Sequence, residues 1–473
     1  MLTGRVNAPE IQTAHGWLNT DRKWSIKELR GKIVLLDFWT FGCINCQHIV
    51  PDLKRLEEEF KDVLVVIGVH SAKFEAEKQN ETIKQAILKF GIKHPVVNDA
   101  DYKLWDQYGV KAWPTIVLID PTGKVVGQHA GEGVYDKVQP YIKRLREEFK
   151  DVLNYEQINF HVEHSESPIL YFPSKLINDH EGNIYLSDSG HNRILKLNQQ
   201  GHILETIGSG EQGFSDGSYT EATFYEPHGM ALHNDILYIA DAKNNAIRKV
   251  DLQHKMVSTA AGTGELDYYF MDERTQEPVN PNSPWDLLIY KQSMFIASAG
   301  NHQILRMDLE TEQVYRFAGS GREALTDGRL HDAAFNQPSG LARNGNVLYV
   351  ADAEASAIRT INIDNGTVLT PLGRGLFDFG DVDGDVDDAL LQHCVGVEII
   401  DSDVYIADTY NGKIKVLDLS RNRIRTITSG LHEPNDLLYL NGKLWVTSTN
   451  SHQLFKVDLS TGDKEEVAIT VNS

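Results

Sequence analysis

The chain has 473 residues, of which 41% are hydrophobic and 24% charged, values typical of a soluble globular protein with more than one domain. Its net charge of -21 argues against nucleic acid or an anionic membrane as a partner, and no apolar run approaches the length of a membrane span. Only three cysteines and no signal-peptide core in residues 1–10 favour a reducing compartment, and we expect the cytoplasm.

Residues 1–150 alternate between strand-like and helical patterns. We predict strands over Ile33–Phe38, Leu64–Val69, Thr115–Ile119 and Val125–Gln128. Helical patterns cover Gln47–Phe60, Glu75–Phe90 and Tyr135–Phe149. Such alternation is typical of an α/β domain whose central sheet is covered by helices. Residues 151–166, which follow the last helix, are predicted to form a linker.

Two cysteines, Cys43 and Cys46, lie between the first strand and the first helix. Unpaired backbone N–H groups and the helix dipole favour a thiolate at a helix N-terminus. A Cys-x-x-Cys pair placed there can cycle between dithiol and disulfide, with the first thiol as the attacking one. The alternative, a structural or zinc-binding pair, needs further ligands, and the remaining cysteine, Cys394, is distant in sequence. The pattern therefore favours redox chemistry.

Beyond the predicted linker the chain contains six copies of one pattern, whose starts are roughly 40 to 57 residues apart. A copy begins with a motif such as Pro-His-Gly, continues with a strand such as Leu-Tyr-Ile-Ala-Asp, and then has Ile-Arg or Ile-Lys. Each copy holds four short β-type runs separated by Gly, Asn and Asp turns. Four-stranded units repeated in this way form a propeller, because radial closure protects most sheet edges. We predict a six-bladed propeller over residues 167–473.

Two sets of polar residues recur in these copies. Asp188, Asp241, Asp352 and Asp408 end equivalent strands, and we expect them to cap or bridge blades. The acidic stretch from Asp378 to Asp388 superficially resembles a calcium loop, although its Asp-Gly turn repeats at equivalent places and favours an inter-blade loop. Variable residues that follow the first proline are candidates for a binding site in the central channel, namely Ser174, His228, Trp285, Ser339 and Asn435. Binding of a partner or peptide is the default expectation for this propeller.

Residues 1–150 resemble the thioredoxin superfamily, especially its TlpA- and DipZ-like branch. The matched segments are Leu-Asp-Phe-Trp at 36–39, the Cys-Ile-Asn-Cys motif, Pro51, and Trp-Pro-Thr at 113–115. The repeats are similar to NHL repeats. The combination of both resembles the NHL repeat-containing protein 2 family.

The resemblance implies roles for residues around the cysteine pair. Cys43 is expected to be the nucleophile and Cys46 the resolving thiol. Asp37 corresponds to the buried acid that exchanges a proton with the resolving cysteine, and a carboxylate within an apolar strand is costly to bury without such a task. Pro114 corresponds to the cis-proline beside the cysteines, and it leaves a neighbouring backbone group free to pair with a peptide. We also expect Trp39, Phe41, Trp113 and Thr115 to contact the substrate.

These observations predict a thiol–disulfide oxidoreductase that needs no cofactor beyond its Cys43–Cys46 disulfide. Its substrates would be protein or peptide thiols and disulfides, an unidentified partner would reduce it, and the propeller would bind a substrate or partner. One alternative is a redox-sensing or non-catalytic scaffold for protein interactions. Others are a propeller hydrolase with an accessory redox domain, and a peroxidase, since Thr40 precedes Cys43 by three residues as in peroxiredoxins. The central Ile-Asn dipeptide leaves the direction of transfer open, although a reducing compartment favours reduction.

Overall fold

The structure is a computed structural model that describes residues 6–162, 168–267 and 277–471. The chain divides into two compact units, residues 1–166 and 167–473. The first unit is an α/β domain of the thioredoxin type and the second is a six-bladed propeller, which confirms the predicted fold class. Among the described residues, no helix has the length and apolar character needed to cross a membrane.

The first unit is built on a six-stranded mixed sheet. Its strands are β1 (Trp17–Leu18), β2 (Ile33–Trp39), β3 (Leu64–His70), β4 (Val96–Asn98), β5 (Thr115–Ile119) and β6 (Val125–Ala130). They lie in the order β1-β4-β3-β2-β5-β6. Strand β2 is central, runs parallel to β3 and antiparallel to β5, and is buried along its whole length. The segment that leads into the cysteine pair is therefore held on both sides by backbone hydrogen bonds.

In the part of this unit that the structure describes, four α-helices accompany the sheet: α1 (Ile44–Glu59), α2 (Asn80–Phe90), α3 (Lys103–Gln107) and α4 (Val134–Glu148). Residues of α1 and α4 pack with Leu35 and Val66 on one face of the sheet, whereas α3 and the N-terminal segment cover the opposite face. Part of the segment predicted to be a linker packs on this unit, because Leu153 joins the first core and the ring of Phe160 lies edge-on to that of Trp24.

Some boundaries differ from the sequence prediction. The expected helix over Glu75–Phe90 is interrupted, because Ala76–Lys78 forms a 3₁₀ turn and α2 begins only at Asn80. Helix α1 begins at Ile44, three residues before the predicted start, since the side chain of Cys43 caps it. The short elements β1, β4 and α3 have too few residues to show a periodic pattern, and the sequence did not indicate them.

The propeller has four antiparallel strands in every blade. Blade 1 has Pro173–Asn178, Ile184–Asp188, Arg193–Leu197 and His202–Ile207, and blade 2 has Pro227–His233, Ile236–Asp241, Ala246–Asp251 and Met256–Gly262. Blade 3 has Pro284–Tyr290, Ser293–Ser298, Gln303–Asp308 and Val314–Ala318, and blade 4 has Pro338–Asn344, Val347–Asp352, Ala357–Asn362 and Thr367–Leu372. Blade 5 has Gly396–Ile400, Asp403–Asp408, Lys413–Asp418 and Arg423–Thr428, and blade 6 has Pro434–Leu440, Lys443–Ser448, Gln453–Val457 and Lys464–Glu466. Within the described ranges, two-residue strands add to the outer edges of four blades: Gly217–Ser218, Gly328–Arg329, Gly384–Asp385 and Thr470–Val471.

The ring of blades is closed by the end of the chain. Thr470–Val471 pairs in parallel with the outermost strand of blade 1, so residues beyond blade 6 complete the sheet of the first blade. Neighbouring blades are also joined by hydrogen bonds in which the backbone N–H before the first strand binds a side chain of the previous blade. For example, the N–H of Ser283 donates to Asn245 Oδ1 at 2.8 Å. These bonds fix the spacing of the innermost strands around the central axis.

The recurrent aspartates predicted to cap or bridge blades are fully buried and bind within their own blade. Asp241 accepts hydrogen bonds from the N–H of Tyr225 at 2.8 Å and from Asn244, and it pairs with Arg248 at 2.9 Å. The corresponding ion pairs are Asp188–Arg193, Asp352–Arg359 and Asp408–Lys415. Blades 3 and 6 have Ser298 and Ser448 at this place. The pairs tie the second and third strands of a blade to the loop that precedes its first strand.

Candidate active site

The cysteine pair lies where strand β2 leads into helix α1. Cys43 is the N-cap of α1, and its Sγ accepts a hydrogen bond from the N–H of Cys46 at 3.3 Å. Cys43 is partly exposed, whereas Cys46 is only 2% exposed, and both thiols are free. Only the first cysteine can therefore meet a large substrate, which is the asymmetry that a nucleophile and a resolving thiol require.

Cys46 is held as a thiol. Burial raises its pKa well above the usual range, and the hydrogen bond and charge of Cys43 raise it further. A buried thiol becomes a useful nucleophile only when a nearby base removes its proton. The site therefore needs a base close to Cys46 that solvent cannot easily replace.

The buried Asp37 is the candidate for this base. It lies on β2 with Gly68 of β3 and Ile116 of β5 as its register partners, and it is 4% exposed. Burial raises its pKa to about 7, partly opposed by the charge of His94 and reinforced by that of Glu57. The Asp37 charge in turn contributes to the raised pKa of Cys46, so the two groups are electrostatically linked. A carboxyl group with a pKa near 7 can both accept and release a proton at neutral pH.

Glu77, which the sequence did not single out, holds the turn before Cys43. Its fully buried carboxylate accepts hydrogen bonds from the N–H groups of Gly42 at 2.9 Å, Lys73 at 2.8 Å and Phe74 at 2.9 Å. This contact fixes the backbone next to Cys43 against the loop that follows β3. The pattern around residue 77 predicted an ordinary helix, and only the interruption of that helix brings the carboxylate inward.

The predicted proline loop lies at the start of β5. The Trp113–Pro114 peptide bond is cis, and the carbonyl of Pro114 accepts the N–H of Gly131 at 2.9 Å. Trp113 donates from Nε1 to the carbonyl of Ser71 at 2.9 Å, and its ring packs against that of Trp105. These contacts hold the loop against the end of β3.

Three of the four residues expected to contact substrate lie in the interior. Trp39 and Phe41 are buried beside His70, whose ring stacks on that of Phe41 and meets Trp39 edge-on. Thr115 is buried and donates to the carbonyl of Ala112 at 2.7 Å. Only Trp113 is partly exposed, so it is the member of the set that can meet a substrate directly. The contact itself stays a prediction.

The channel candidates of the propeller are buried at the starts of the innermost strands. The rings of His228 and Trp285 stack with centroids 4.5 Å apart, and the hydroxyl of Ser174 is 2.6 Å from that of Ser189. Nearby, Lys175 lies 3.2 Å from both Asp286 and Asp436 and joins three blades. These contacts are internal to the propeller and do not indicate a reaction.

In the acidic stretch of blade 5, aspartates pair with lysine side chains. Asp381 pairs with Lys413 and Lys415, and Asp383 Oδ1 lies 3.0 Å from Lys415. Within the described ranges, no group of three or more His, Cys, Asp and Glu side chains is arranged to hold a metal ion. The loop thus uses its acidic residues as partners for basic side chains of the same blade.

Known proteins with similar sequences match both units of the chain. A thioredoxin-like family matches residues 31–125. NHL repeat-containing protein 2 from Bos taurus is 38% identical over 96% of this chain and 70% of its own length. The chloroplastic protein SUPPRESSOR OF QUENCHING 1 from Arabidopsis thaliana is 36% identical over 97% of this chain and 47% of its own length. Thiol-disulfide oxidoreductase ResA from Bacillus anthracis is 33% identical over 26% of this chain and 69% of its own length.

The fold and the cysteine site together define a thioredoxin-like domain joined to an NHL-repeat propeller. The identity to the bovine protein extends over nearly the whole chain and includes both units. The chain belongs to the NHL repeat-containing protein 2 family, which confirms the resemblance drawn from the sequence.

Proposed function

We propose that this protein is a thiol–disulfide oxidoreductase that acts on protein or peptide disulfides. The observation that carries the proposal is the pairing of a partly exposed Cys43 with a buried Cys46 beside the buried Asp37. The likeness of the first unit to a protein named as a thiol-disulfide oxidoreductase supports the same chemistry. The reaction needs no cofactor beyond the cysteine pair.

In the reductive direction the Cys43 thiolate attacks one sulfur of the substrate disulfide, and the other sulfur leaves as a thiolate that takes a proton from solvent. Asp37 then accepts the proton of Cys46. The resulting Cys46 thiolate attacks the Sγ of Cys43, the mixed disulfide breaks, and the second substrate thiolate is released. A separate dithiol reductant must restore the Cys43–Cys46 dithiol. The few cysteines of the chain support a reducing compartment, for which we propose the cytoplasm.

The propeller is proposed to bind a substrate or partner protein. Two of its buried channel residues, His228 and Trp285, stack on each other, and Lys175 pairs with Asp286, so recognition is assigned to the surface of the blades. Propellers offer broad, rigid surfaces on which loops can vary without loss of the fold. The alternative that the first unit only senses redox state would retain this binding role without turnover.

The test is reduction of insulin disulfides by dithiothreitol in the presence of the 473-residue chain. We expect the wild type to accelerate the reaction and Cys43→Ser to abolish the acceleration. Cys394→Ser is the matched control, because Cys394 is also a free cysteine but is buried in the propeller. No acceleration by a protein whose cysteine pair is reduced and reoxidised normally would overturn the proposed activity in favour of the scaffold.

The Cys46→Ser variant addresses the substrate. Without the resolving thiol, Cys43 should remain joined to its target in a mixed disulfide. Recovery of the same proteins with Cys46→Ser, but not with a Cys43→Ser, Cys46→Ser double variant, would identify the substrates. Failure to recover any cysteine-dependent partner from cells would contradict the enzyme proposal.

A further inference from the structure

A group of buried polar atoms lies between the sheet and helix α1, directly behind the cysteine pair. Strand β2 directs alternate residues to this face, so Asp37 and Trp39 follow Leu35, and Gly68 and His70 on β3 follow Val66. Within the described ranges, several atoms of this layer are buried without a hydrogen-bond partner: Asp37 Oδ1, Trp39 Nε1, Thr40 Oγ1, both ring nitrogens of His70, and His94 Nε2. Buried polar groups are nearly always paired, so this concentration needs an explanation.

Gly68 leaves a space that two of these polar groups border. It is the register partner of Asp37 on the neighbouring parallel strand, about 4.8 Å away. A Cβ at Gly68 would lie 2.9 Å from Trp39 Nε1 and 3.4 Å from His94 Nε2. Trp39, Val96 and the imidazole of His94 therefore border the volume that a side chain at residue 68 would fill, next to the strand that carries Asp37.

The other ring nitrogen of His94 leads towards solvent. His94 Nδ1 lies 3.2 Å from Glu57 Oε1, and the His94 side chain is buried whereas that of Glu57 is 26% exposed. Imidazole can accept a proton on one nitrogen and release one from the other. The order Asp37, His94, Glu57 thus runs from the buried site to the surface along α1.

We infer that His94 and Glu57 form the route by which the proton that Asp37 takes from Cys46 reaches solvent, an inference that rests on the proposed redox function. Neither Asp37 Oδ1 nor His94 Nε2 has a hydrogen-bond partner among the described residues, so in this route the proton crosses between them on a bridging water molecule. His94 then releases a proton from Nδ1 to Glu57, and Glu57 gives it to bulk water. His94 and Glu57 do not touch the reacting sulfurs and act through Asp37 as positioning residues. The closure of the Cys43–Cys46 disulfide would otherwise leave a proton in the interior beside the new bond.

The charged groups that face Asp37 give this route a distinct electrostatic signature. They are Cys46 and Glu57 from α1 and His94 from the segment before β4, while Ile116 on β5 adds no charge. Burial holds the pKa of the remaining neighbour, His70, at about 3, so that ring is neutral. The charge of Glu57 raises the pKa of Asp37 and that of His94 lowers it. Neutral replacements at these two positions should therefore shift the titration of Asp37 in opposite directions.

The test uses the full-length reduced chain and dipyridyl disulfide, which releases one pyridinethione when Cys43 attacks and a second when Cys46 resolves the mixed disulfide. The pH dependence of both releases is measured for wild type, Glu57→Gln, His94→Gln and Glu58→Gln. Glu58 is the matched control, because it is the adjacent glutamate of α1 and is 78% exposed.

For the second release we expect the pH midpoint to fall by about 0.5 to 1 unit in Glu57→Gln and to rise by a similar amount in His94→Gln. Its plateau rate should fall about 10-fold in both variants, because proton transfer is interrupted. The first release should be unchanged in every variant, and Glu58→Gln should match the wild type.

Midpoints that do not move, that move in the same direction, or that move without loss of plateau rate would overturn the relay. If His94→Gln does not fold, Glu57→Gln alone decides, and a profile equal to that of Glu58→Gln refutes the route. A wild type that never shows a second release would overturn the proposed redox function itself. If the wild type shows a normal second release and the variants match it, only the proposed relay is refuted.

Discussion

Both units bury aspartates inside their sheets, but the two units differ in the hydrogen-bond partners that surround these carboxylates. In blade 2, Asp241 receives backbone, amide and guanidinium donors, and it pairs with Arg248. In the thioredoxin-like unit, Asp37 Oδ1 has no hydrogen-bond partner among the described residues. Burial raises the pKa of both groups, to about 6 for Asp241 and about 7 for Asp37. The contacts, rather than the pKa values, distinguish a carboxylate that holds a blade together from one that can exchange a proton.

The largest effect is expected when a propeller carboxylate loses its cation. Arg248→Met would leave the buried Asp241 without its cation, and it would also remove the bonds of Arg248 to Asp216 and to the carbonyl groups of Thr223 and Ser215. Breaking a buried pair in this way costs about 3 to 5 kcal/mol. Urea denaturation combined with hydrogen exchange of blade 2 peptides measures the loss.

The control for this change is Arg421→Met, since Arg421 pairs with Asp418 at the surface and is 79% exposed. Exposed pairs contribute about 0 to 1 kcal/mol, so this variant should behave almost like the wild type. Equal losses for Arg248→Met and Arg421→Met would contradict the structural role assigned to the buried pair.

In contrast to Arg248→Met, Asp37→Asn is expected to stabilise the folded state. The folded state raises the pKa of Asp37 from 3.8 to about 7, so the native protein binds the proton more tightly than the unfolded chain. The wild type therefore loses stability as the pH rises from about 4 to about 7, and the amide avoids this loss. We expect Asp37→Asn to stabilise the first unit by roughly 2 to 4 kcal/mol at pH 8 and to have little effect below pH 4.

Hydrogen exchange of peptides from β2 and β3, at pH 5 and pH 8, checks this expectation. The same variant should resolve mixed disulfides slowly, because Cys46 would lose the base proposed for it. A destabilised Asp37→Asn at pH 8 would show that the carboxylate is held by favourable contacts, and the contrast with Asp241 would then disappear.

Glu77 sharpens the comparison within a single unit. Although it lies near Cys43, its three backbone donors make it resemble Asp241 more than Asp37. Glu77→Gln would direct an amide group at one of these donors, and we expect a loss of about 1 to 3 kcal/mol. Exchange of the Gly42 amide is the direct measurement, and Glu81→Gln, a change at an exposed position of α2, is the control. A gain in stability would show that the buried carboxylate of Glu77, like that of Asp37, destabilises the folded state.

These three carboxylates also show how far the sequence could lead. Asp37 could be identified because an acid within an apolar strand is conspicuous and because its spacing from Cys43 matches a known pattern. Asp241 could be identified as architectural because it recurs in other copies. Glu77 gave no such signal, since its inward position depends on an interruption between Ala76–Lys78 and α2.

His94 and Glu57 could not be paired from the sequence for a related reason. Their contact joins the segment before β4 to helix α1, and no periodic pattern encodes the distance between them. The space near Asp37 depends on Gly68, which the sequence shows only as a residue within a predicted strand. The six blades, by contrast, could be predicted from the repeats, because every copy has the same local pattern.

The smallest effect concerns the acidic loop of blade 5, where a calcium site was an alternative. Asp383 is partly exposed and pairs with the buried Lys415, which also binds Asp381 and Asp408. Because these other carboxylates still face the ammonium group, Asp383→Asn should cost less than about 1 kcal/mol. Millimolar calcium should not raise the Tm of the wild type, since a cation would have to displace lysines already bound. A calcium-dependent rise in Tm that Asp383→Asn abolishes would show instead that the loop exchanges its lysines for a metal ion. The carboxylates of the loop would then resemble Asp37, because they too would change their binding partner.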